Sequence, residues 1–326
     1  MRFFILMKKH VIILLVFLIS ISLFFIYIIH EYTVNNNDLY QAFMGYSEYM
    51  IDNQIKNDIE YFRPSKLPIL NDKEFKTDFM NKYNLKESSE IILPQSLLEN
   101  PYDNLINFFS ILRQAANYVK GKVTGCGTLG YSKLPYPTAY EFLSSDYQEK
   151  LSYEEFLALF ENILHLNLIK LHEVIQDERC SDGLRYFIEF ETIEGSEKGV
   201  GYFAYYYGYI CLIKVDDVYK ISDISFQGED YLCAPYHGWN YIGEAVVDIK
   251  YGNWCSLVEE RYETQQDDYI KNIYFKGTDG FDYRILFFQL TNGKDVEIAQ
   301  YRKKKNNEWE VIKLDPEKCL ENNNKD

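Results

Sequence analysis

The stretch that most constrains this chain runs from residue 200 to residue 215, V-G-Y-F-A-Y-Y-Y-G-Y-I-C-L-I-K-V. It is almost wholly aromatic or β-branched and contains no proline, which predicts one long β-strand. Side chains alternate across a strand, and both alternating sets are apolar here, so neither face suits contact with water. We therefore predict an interior strand of a sheet that is covered on both faces, with Gly201 and Gly208 as points where the strand bends.

Helical and strand patterns follow one another in blocks before and after this stretch. An apolar stripe from Leu105 to Val119 follows Pro101, and the Ser152 and Glu155 pair forms a capping box that starts a further helix. A short helix is predicted at residues 139–143, and strands at residues 166–175, 184–193 and 218–226. Helices followed by an antiparallel meander predict an α+β fold, with helices packed on a curved antiparallel sheet.

The last third of the chain predicts a second, smaller α+β unit. A stretch with helical spacing precedes a second meander, whose strands are predicted at residues 269–275, 283–290, 296–303 and 309–314. The sequence D-G-F-D-Y-R-I-L-F at residues 279–287 is similar to D-G-L-R-Y-F-I-E-F at residues 182–190, which indicates two related units. The predicted divisions are a transmembrane segment at 1–30, a helical stalk and connector at 31–100, and α+β units at 101–230 and 231–326.

Residues 11–29 predict a membrane span. These nineteen residues carry no charge, and as a helix they extend about 28 Å, which matches the apolar core of a bilayer. Arg2, Lys8 and Lys9 precede the span and Glu31 follows it, so the positive-inside rule places the N-terminus in the cytoplasm. No small-residue cleavage site follows, which favours an uncleaved signal-anchor over a signal peptide. We predict a single-pass protein of the cell membrane whose C-terminal region is extracytoplasmic.

Charge narrows the class of partner. Without residues 1–30, the chain carries 31 basic and 49 acidic side chains. An acidic surface repels the phosphate backbone, so nucleic acid is excluded as a partner. The one basic run, residues 302–305, precedes two asparagines and predicts the solvated end of a β-hairpin.

All six cysteines follow the predicted span, on the side of the membrane where oxidation is possible. They are Cys126, Cys180, Cys211, Cys233, Cys255 and Cys319. Each is a disulfide candidate, with fifteen pairings if all are bonded, and buried free thiols are the alternative. No C-x-x-C pair, calcium loop or phosphate-binding glycine loop occurs, so we expect no metal site and no cofactor. Cys233 and His237 are close in sequence, but nothing nearby completes a nucleophilic site, and a disulfide-bonded Cys233 is favoured.

Helices followed by a long curved antiparallel sheet resemble the nuclear transport factor 2-like, cystatin-like α+β superfamily. The residues that carry the resemblance are A-Y-E-F-L-S at 139–144, S-Y-E-E-F at 152–156 and D-D-V-Y-K-I at 216–221, where Tyr219 replaces the usual tryptophan. The resemblance covers residues 102–228 and, more weakly, 236–314. It implies membrane-anchored, exported tandem modules of Gram-positive bacteria, including accessory subunits of conjugation machinery, and therefore a protein partner at the cell surface.

Enzymes of the resembled fold use an acidic residue and a tyrosine within the cone between sheet and helices. The resemblance makes Glu189, Tyr202 and Tyr206 the ligand-pocket candidates, and no catalytic residue is assigned. Two functions remain open, an anchored extracytoplasmic protein that binds a protein partner or small ligand, and an exported enzyme with an acid–base pocket in the cone. An aromatic-filled cone would favour the first, whereas an open cavity with a buried carboxylate facing Tyr202 or Tyr206 would favour the second.

Overall fold

The structure, a computed structural model, describes residues 65–84, 93–122, 132–231 and 237–323. The predicted span at residues 11–29 lies outside the described residues, as do Cys126 and Cys233. Among the described residues, no helix is both long enough and apolar enough to cross a membrane. Residues Ser65–Asp326 form one compact unit.

Five α-helices precede the first sheet in the described residues. They are α1 (Thr77–Asn84), α2 (Pro101–Arg113), α3 (Tyr136–Tyr140), α4 (Ser145–Gln148) and α5 (Tyr153–Ala158). The predicted capping box is confirmed, since the Ser152 hydroxyl accepts from the Glu155 N–H and the Glu155 carboxylate accepts from the Ser152 N–H. The α2 helix starts where the Asn100 side chain accepts from the Asp103 N–H, with Pro101 in the first turn.

The apolar stripe that predicts α2 continues beyond the end of the helix. Ala115 and Ala116 are buried, yet they follow the last helical residue, Arg113. The N–H groups of Ala116 and Asn117 bond to distant carbonyl groups, those of Ser132 and Ile163, instead of to the preceding helical turn. Tertiary pairing therefore ends the helix before its hydrophobic pattern ends.

The first sheet contains four antiparallel strands in sequence order, β1-β2-β3-β4. They are β1 (Ile163–Val174), β2 (Leu184–Glu194), β3 (Tyr202–Val215) and β4 (Val218–Gly228). The Tyr-rich stretch forms β3, an interior strand between β2 and β4, as predicted. At Gly208 the backbone of β4 comes so close that a Cβ would lie 2.0 Å from the Ser225 carbonyl oxygen, which only glycine permits. The register irregularity itself falls between Cys211 and Leu212.

The second sheet follows a helical segment, α6 (Gly243–Val246), that continues as a π-helix over Val247–Trp254. Its strands are β5 (Val258–Arg261), β6 (Gln265–Asp267), β7 (Ile270–Gly277), β8 (Asp282–Gln289), β9 (Asp295–Lys303) and β10 (Trp309–Ile312), before α7 (Pro316–Asn323). The order is β10-β9-β8-β7-β5, and β6 also pairs with β7. The basic run at residues 302–305 lies at the β9–β10 hairpin end, as predicted, and Arg302 and Lys304 both pair with Glu310.

The elements stack as helices, first sheet, second sheet and helix. One face of the first sheet packs on α2, α3 and α5 through rings such as Phe108 and Phe190. Its opposite face meets the second sheet through Phe187, Tyr207 and Phe288, among others. The far face of the second sheet packs on α6 and the π-helix. This stacking explains why both faces of β3 are apolar.

The two meanders share one plan. Strands β1 to β4 and strands β7 to β10 each lie in space in the order of the sequence. The similar segments at residues 182–190 and 279–287 lead into β2 and β8, the second strand of each meander. The sequence similarity thus falls on equivalent strands.

One disulfide joins the end of the π-helix to the C-terminal helix, between Cys255 and Cys319. Cys180 and Cys211 have free thiols, and both are buried.

Candidate functional site

The structure brings Tyr202 and Tyr206 together but places Glu189 on the other face of the first sheet. In the β2–β3 register Glu189 lies opposite Tyr207, and Phe190 lies opposite Tyr206. Successive side chains of a strand point to opposite faces, so Tyr206 faces the helices while Glu189 faces the second sheet.

Glu194, which the sequence analysis did not single out, is the carboxylate that faces both tyrosines. Its oxygens accept from the hydroxyls of Tyr202 at 2.8 Å, Tyr206 at 2.6 Å and Thr192 at 3.1 Å, and from the Asn162 amide at 3.4 Å. The hydrogen bond to Glu194 raises the pKa of Tyr202, and burial followed by this hydrogen bond raises the pKa of Tyr206. The sequence could have indicated Glu194, because residues an even number of positions apart on a strand share a face, and Glu194 is four residues from Phe190.

Aromatic rings fill the space between the helices and the first sheet. The rings of Phe108, Phe142, Phe156 and Phe190 are all at most 1% exposed there, and Tyr206 stacks on Phe190 with 5.3 Å between ring centroids. Both tyrosine hydroxyls stay protonated and donate to Glu194, whose oxygens are already occupied by four donors. This arrangement ties the adjoining ends of β2 and β3 together through side-chain hydrogen bonds.

Glu189 belongs to an ionic cluster between the two sheets, which we call the inter-sheet cluster and define as Lys170, Glu189, Glu229 and Thr291. The Lys170 ammonium lies 2.5 Å from the Glu189 carboxylate, and the two side chains are 1% and 0% exposed. The ammonium also donates to the Gln289 carbonyl at 2.5 Å, and the Thr291 N–H donates to Glu189 at 3.0 Å. Strands of the first sheet are thereby bonded to the β8–β9 turn of the second.

A second carboxyl group completes this cluster. Glu229 follows β4, and its carboxylate accepts from the Asn292 N–H at 3.0 Å. Burial, and then the negative charge of Glu189, raise the pKa of Glu229 to about 8. The Glu229 carboxyl is therefore mostly protonated at neutral pH, which spares the junction a second buried negative charge.

Beyond this junction, the two sheets separate and leave an open groove, which we call the inter-sheet groove. Its two continuous sections have volumes of about 520 and 350 Å³. From the first sheet it is lined by Glu173–Asp177, Leu184 and Arg185, and from the second by Leu286, Phe288, Glu297–Tyr301 and Val311–Lys313. Residues of β1 and β10, the edge strands of the two sheets, therefore both border this groove.

Arg185 is the most constrained charged side chain of the inter-sheet groove. Its guanidinium lies 3.7 Å from the centroid of the Tyr209 ring, pairs with Asp177 at 3.0 Å and donates to the Ile175 carbonyl at 3.1 Å. A guanidinium held by a ring, a carboxylate and a carbonyl is rigid. It therefore fixes the wall formed by residues 175–177.

The inter-sheet groove combines an apolar floor with a rim that carries charges of both signs. Leu286, Phe288 and Ile298 contribute to the floor, and the exposed Glu173 and Lys313 stand at the rim. Val311, on the edge strand β10, is 53% exposed beside it. An edge strand next to an apolar groove suits an extended peptide.

The structure also bears on the metal site and the cysteine–histidine pair considered from the sequence. Within the described ranges, no group of three or more His, Cys, Asp or Glu side chains is placed to hold a metal ion. His237 stacks on the Tyr241 ring at 4.1 Å, and its suggested partner Cys233 lies outside the described residues. His172 bonds to the Tyr269 hydroxyl, and burial lowers its pKa.

Comparison with known proteins gives no relative for this chain. No protein-family model, no curated protein and no solved structure matches it. The nuclear transport factor 2-like assignment therefore stays a prediction from the sequence, and function has to be argued from the geometry of the described residues.

Proposed function

We propose that this chain is a membrane-anchored extracytoplasmic binding protein, an accessory or assembly component, which contacts a protein partner through the inter-sheet groove. The observation that carries the proposal is the groove itself, with its apolar floor and neighbouring edge strand β10. The partner contributes an extended segment that carries apolar and basic side chains. Nuclear transport factor 2-like ancestry for both α+β units is part of the same proposal.

Charge supports a basic partner. The whole chain has a formal net charge of −15, and the excess of acidic side chains is larger once residues 1–30 are set aside. A field of one sign speeds encounter with a partner of opposite charge and discourages acidic competitors. Association is therefore expected to weaken as salt concentration rises.

The disulfide supports the extracytoplasmic location. Disulfides persist in oxidising compartments, and Cys255 is bonded to Cys319. Residues 11–29 supply the anchor in this proposal. A tag placed after Asp326 should be removed by protease added to intact cells, and protection of that tag would reverse the proposed topology.

Photo-crosslinking of the full-length chain in its native membrane tests the groove. A photoreactive residue at Lys313, which is 82% exposed at the groove, should capture one protein partner. Val311→Arg places a positive charge beside the groove and should abolish the adduct, because it repels a basic segment. Val200→Arg is the matched control, since Val200 is 64% exposed in the β2–β3 connection and does not line the groove.

Two results would overturn the groove assignment. One is an adduct from Lys313 that survives Val311→Arg unchanged. The other is equal capture of the same partner by a photoreactive residue at Val200. Thermal unfolding of both arginine variants shows whether each remains folded, so that loss of the adduct is read as loss of contact.

The second candidate, an exported enzyme, rests on the Glu194 carboxylate facing Tyr202 and Tyr206. Under the binding proposal, Glu194→Gln leaves the crosslink from Lys313 intact, because Glu194 and the two tyrosines lie on the helix-facing side of the first sheet, away from the groove. Loss of the crosslink in a variant that unfolds at the same temperature as the wild type would move the functional site to the helix side.

A further inference from the structure

Cys180 and Cys211 lie together although 31 residues separate them in the sequence. Cys180 ends a 3₁₀ turn, Glu178–Cys180, between β1 and β2, whereas Cys211 is inside β3. Each is 3% exposed and each thiol is free. Each thiol affects the pKa of the other, so the two side chains are near neighbours.

Several contacts hold this turn across the first sheet. The Asp177 side chain accepts from the Arg179 N–H at 3.0 Å, and the Arg179 guanidinium reaches the Ser225 hydroxyl on β4 at 3.4 Å. Arg185, which is the β2 partner of Cys211, pairs with Asp177. These contacts hold the Glu178–Cys180 turn against β3 and β4, on the part of the sheet that contains Cys211.

The geometry points to a second disulfide, between Cys180 and Cys211, in the exported protein. It forms by exchange with a disulfide donor, either an export-side thiol oxidoreductase or oxidised glutathione. One thiolate attacks the donor disulfide and releases one donor thiol. The second cysteine then attacks the mixed disulfide and releases the other donor thiol. The two cysteines lose two protons and two electrons, and the donor gains both.

The burial of the two thiols in the folded protein determines at which stage of folding the disulfide can form. Burial raises the pKa of both thiols, and the thiolate is the nucleophile, so the closed pair reacts slowly. The bond therefore forms before the turn closes over β3, and afterwards the folded protein shields it from reductants. Cys255 and Cys319 are only half-buried, so their disulfide should be reduced first.

The second disulfide would bear on the inter-sheet groove. Residues 175–177 line that groove and directly precede the Glu178–Cys180 turn. A covalent bond from Cys180 to β3 would hold this wall in place. The disulfide rests on the proposed extracytoplasmic location but not on the proposed binding, because it can be detected without any partner.

Mass mapping of the full-length protein tests the pair directly. Protein extracted from its membrane in detergent is denatured in excess alkylating reagent, digested without reduction and analysed by mass spectrometry. We expect a peptide containing Cys180 linked to a peptide containing Cys211, with two hydrogens fewer than the sum of the two. The Cys255–Cys319 link serves as the internal control for oxidation.

Three outcomes would overturn the inference. Cys180 and Cys211 could both be alkylated while Cys255–Cys319 is linked, or either could be linked to Cys126 or Cys233. If the Cys255–Cys319 pair is also found reduced, the protein is refolded with oxidised glutathione, and both disulfides should then form. Formation of the Cys255–Cys319 disulfide alone would contradict the inference.

A variant provides a second measurement. Cys180→Ser should add one alkylated thiol, that of Cys211, and remove the linked peptide. It should lower the unfolding temperature under oxidising conditions, and strong reductant should narrow this difference. An unfolding difference that reductant leaves unchanged would mean that the loss comes from packing and not from a disulfide.

Discussion

At the scale of single residues, the chain buries opposite charges between its two sheets. Lys170 and Glu189 are 1% and 0% exposed, and neither was distinguished by charge pattern from surface residues of its strand. Removing one member of a buried ion pair leaves an uncompensated charge, which costs more than the pair contributes. Buried residues of this kind dominate the large effects of single substitutions.

Lys170→Met should therefore lower the free energy of unfolding by about 3–5 kcal/mol, measured by denaturant titration. Lys313→Met is the control, because Lys313 pairs with Glu178 on the surface, where both side chains are largely exposed, and should cause no measurable change. Lys170→Met combined with Glu189→Gln should recover part of the loss. Equal effects of the two methionine variants would show that Lys170 is not a critical partner.

Glu229 gives the fold a specific dependence on pH. Its pKa is raised from 4.5 to about 8 in the folded protein, so folding favours the protonated form. Its stabilising contribution is fully present below about pH 4.5 and is lost as pH rises through about pH 8. Glu229→Gln removes this titration, so the stability of the variant relative to the wild type should increase from about pH 5 to about pH 9.

Denaturant unfolding at several pH values measures that increase. Glu197→Gln is the control for the loss of a surface carboxylate, since Glu197 is exposed on the β2–β3 connection. A difference between Glu229→Gln and the wild type that stays constant over this pH range would mean that Glu229 is charged in the folded protein at all the pH values tested.

At the scale of elements, β3 depends on one glycine. Gly208→Ala would place a Cβ 2.0 Å from the Ser225 oxygen, so β3 and β4 must separate or the variant must unfold. The expected loss is about 3 kcal/mol or more, measured by thermal and denaturant unfolding. Gly228→Ala, in the adjacent strand, meets only the Tyr206 ring at 3.7 Å and should change stability by about 0.5 kcal/mol or less. A mild effect at Gly208 would contradict the close strand approach.

The Cys255–Cys319 disulfide fastens the C-terminal helix, α7, to the π-helix across 64 residues of sequence. Replacing both cysteines by serine should lower the free energy of unfolding by about 2–4 kcal/mol, because the unfolded chain is no longer constrained. Mild reductant should lower the stability of the wild type by a similar amount and leave the double variant unchanged. Sensitivity of the double variant to mild reductant would identify a further accessible disulfide.

The sequence predicted elements whose pattern is carried by buried side chains. β3 was recognisable because both of its faces are apolar, and α5 because its capping box is local. β5 and β6 were missed because almost all of their residues are exposed and show no alternation. Glu189 was grouped with Tyr206 by family resemblance alone, whereas strand parity separates them and selects Glu194 instead. The inter-sheet groove was not predictable, because it depends on how the two sheets pack.

At the scale of the whole molecule, two meanders with the same strand order stack face to face between outer helices. The rings at their contact include Phe187 and Phe288, which lie 5.2 Å apart. Each sheet therefore covers a face that would otherwise expose large apolar side chains. The open end of the same contact is the surface that we propose for the partner.

The β8–β9 turn supplies the donors and the carbonyl that satisfy Lys170 and Glu189. The first half should therefore not be studied as a separate fragment, because a fragment ending at Gly228 would lose the groups of the second sheet that hydrogen-bond to Lys170 and Glu189. A substitution in this turn therefore acts on strands of both sheets, and the two halves are expected to unfold together, in one cooperative transition.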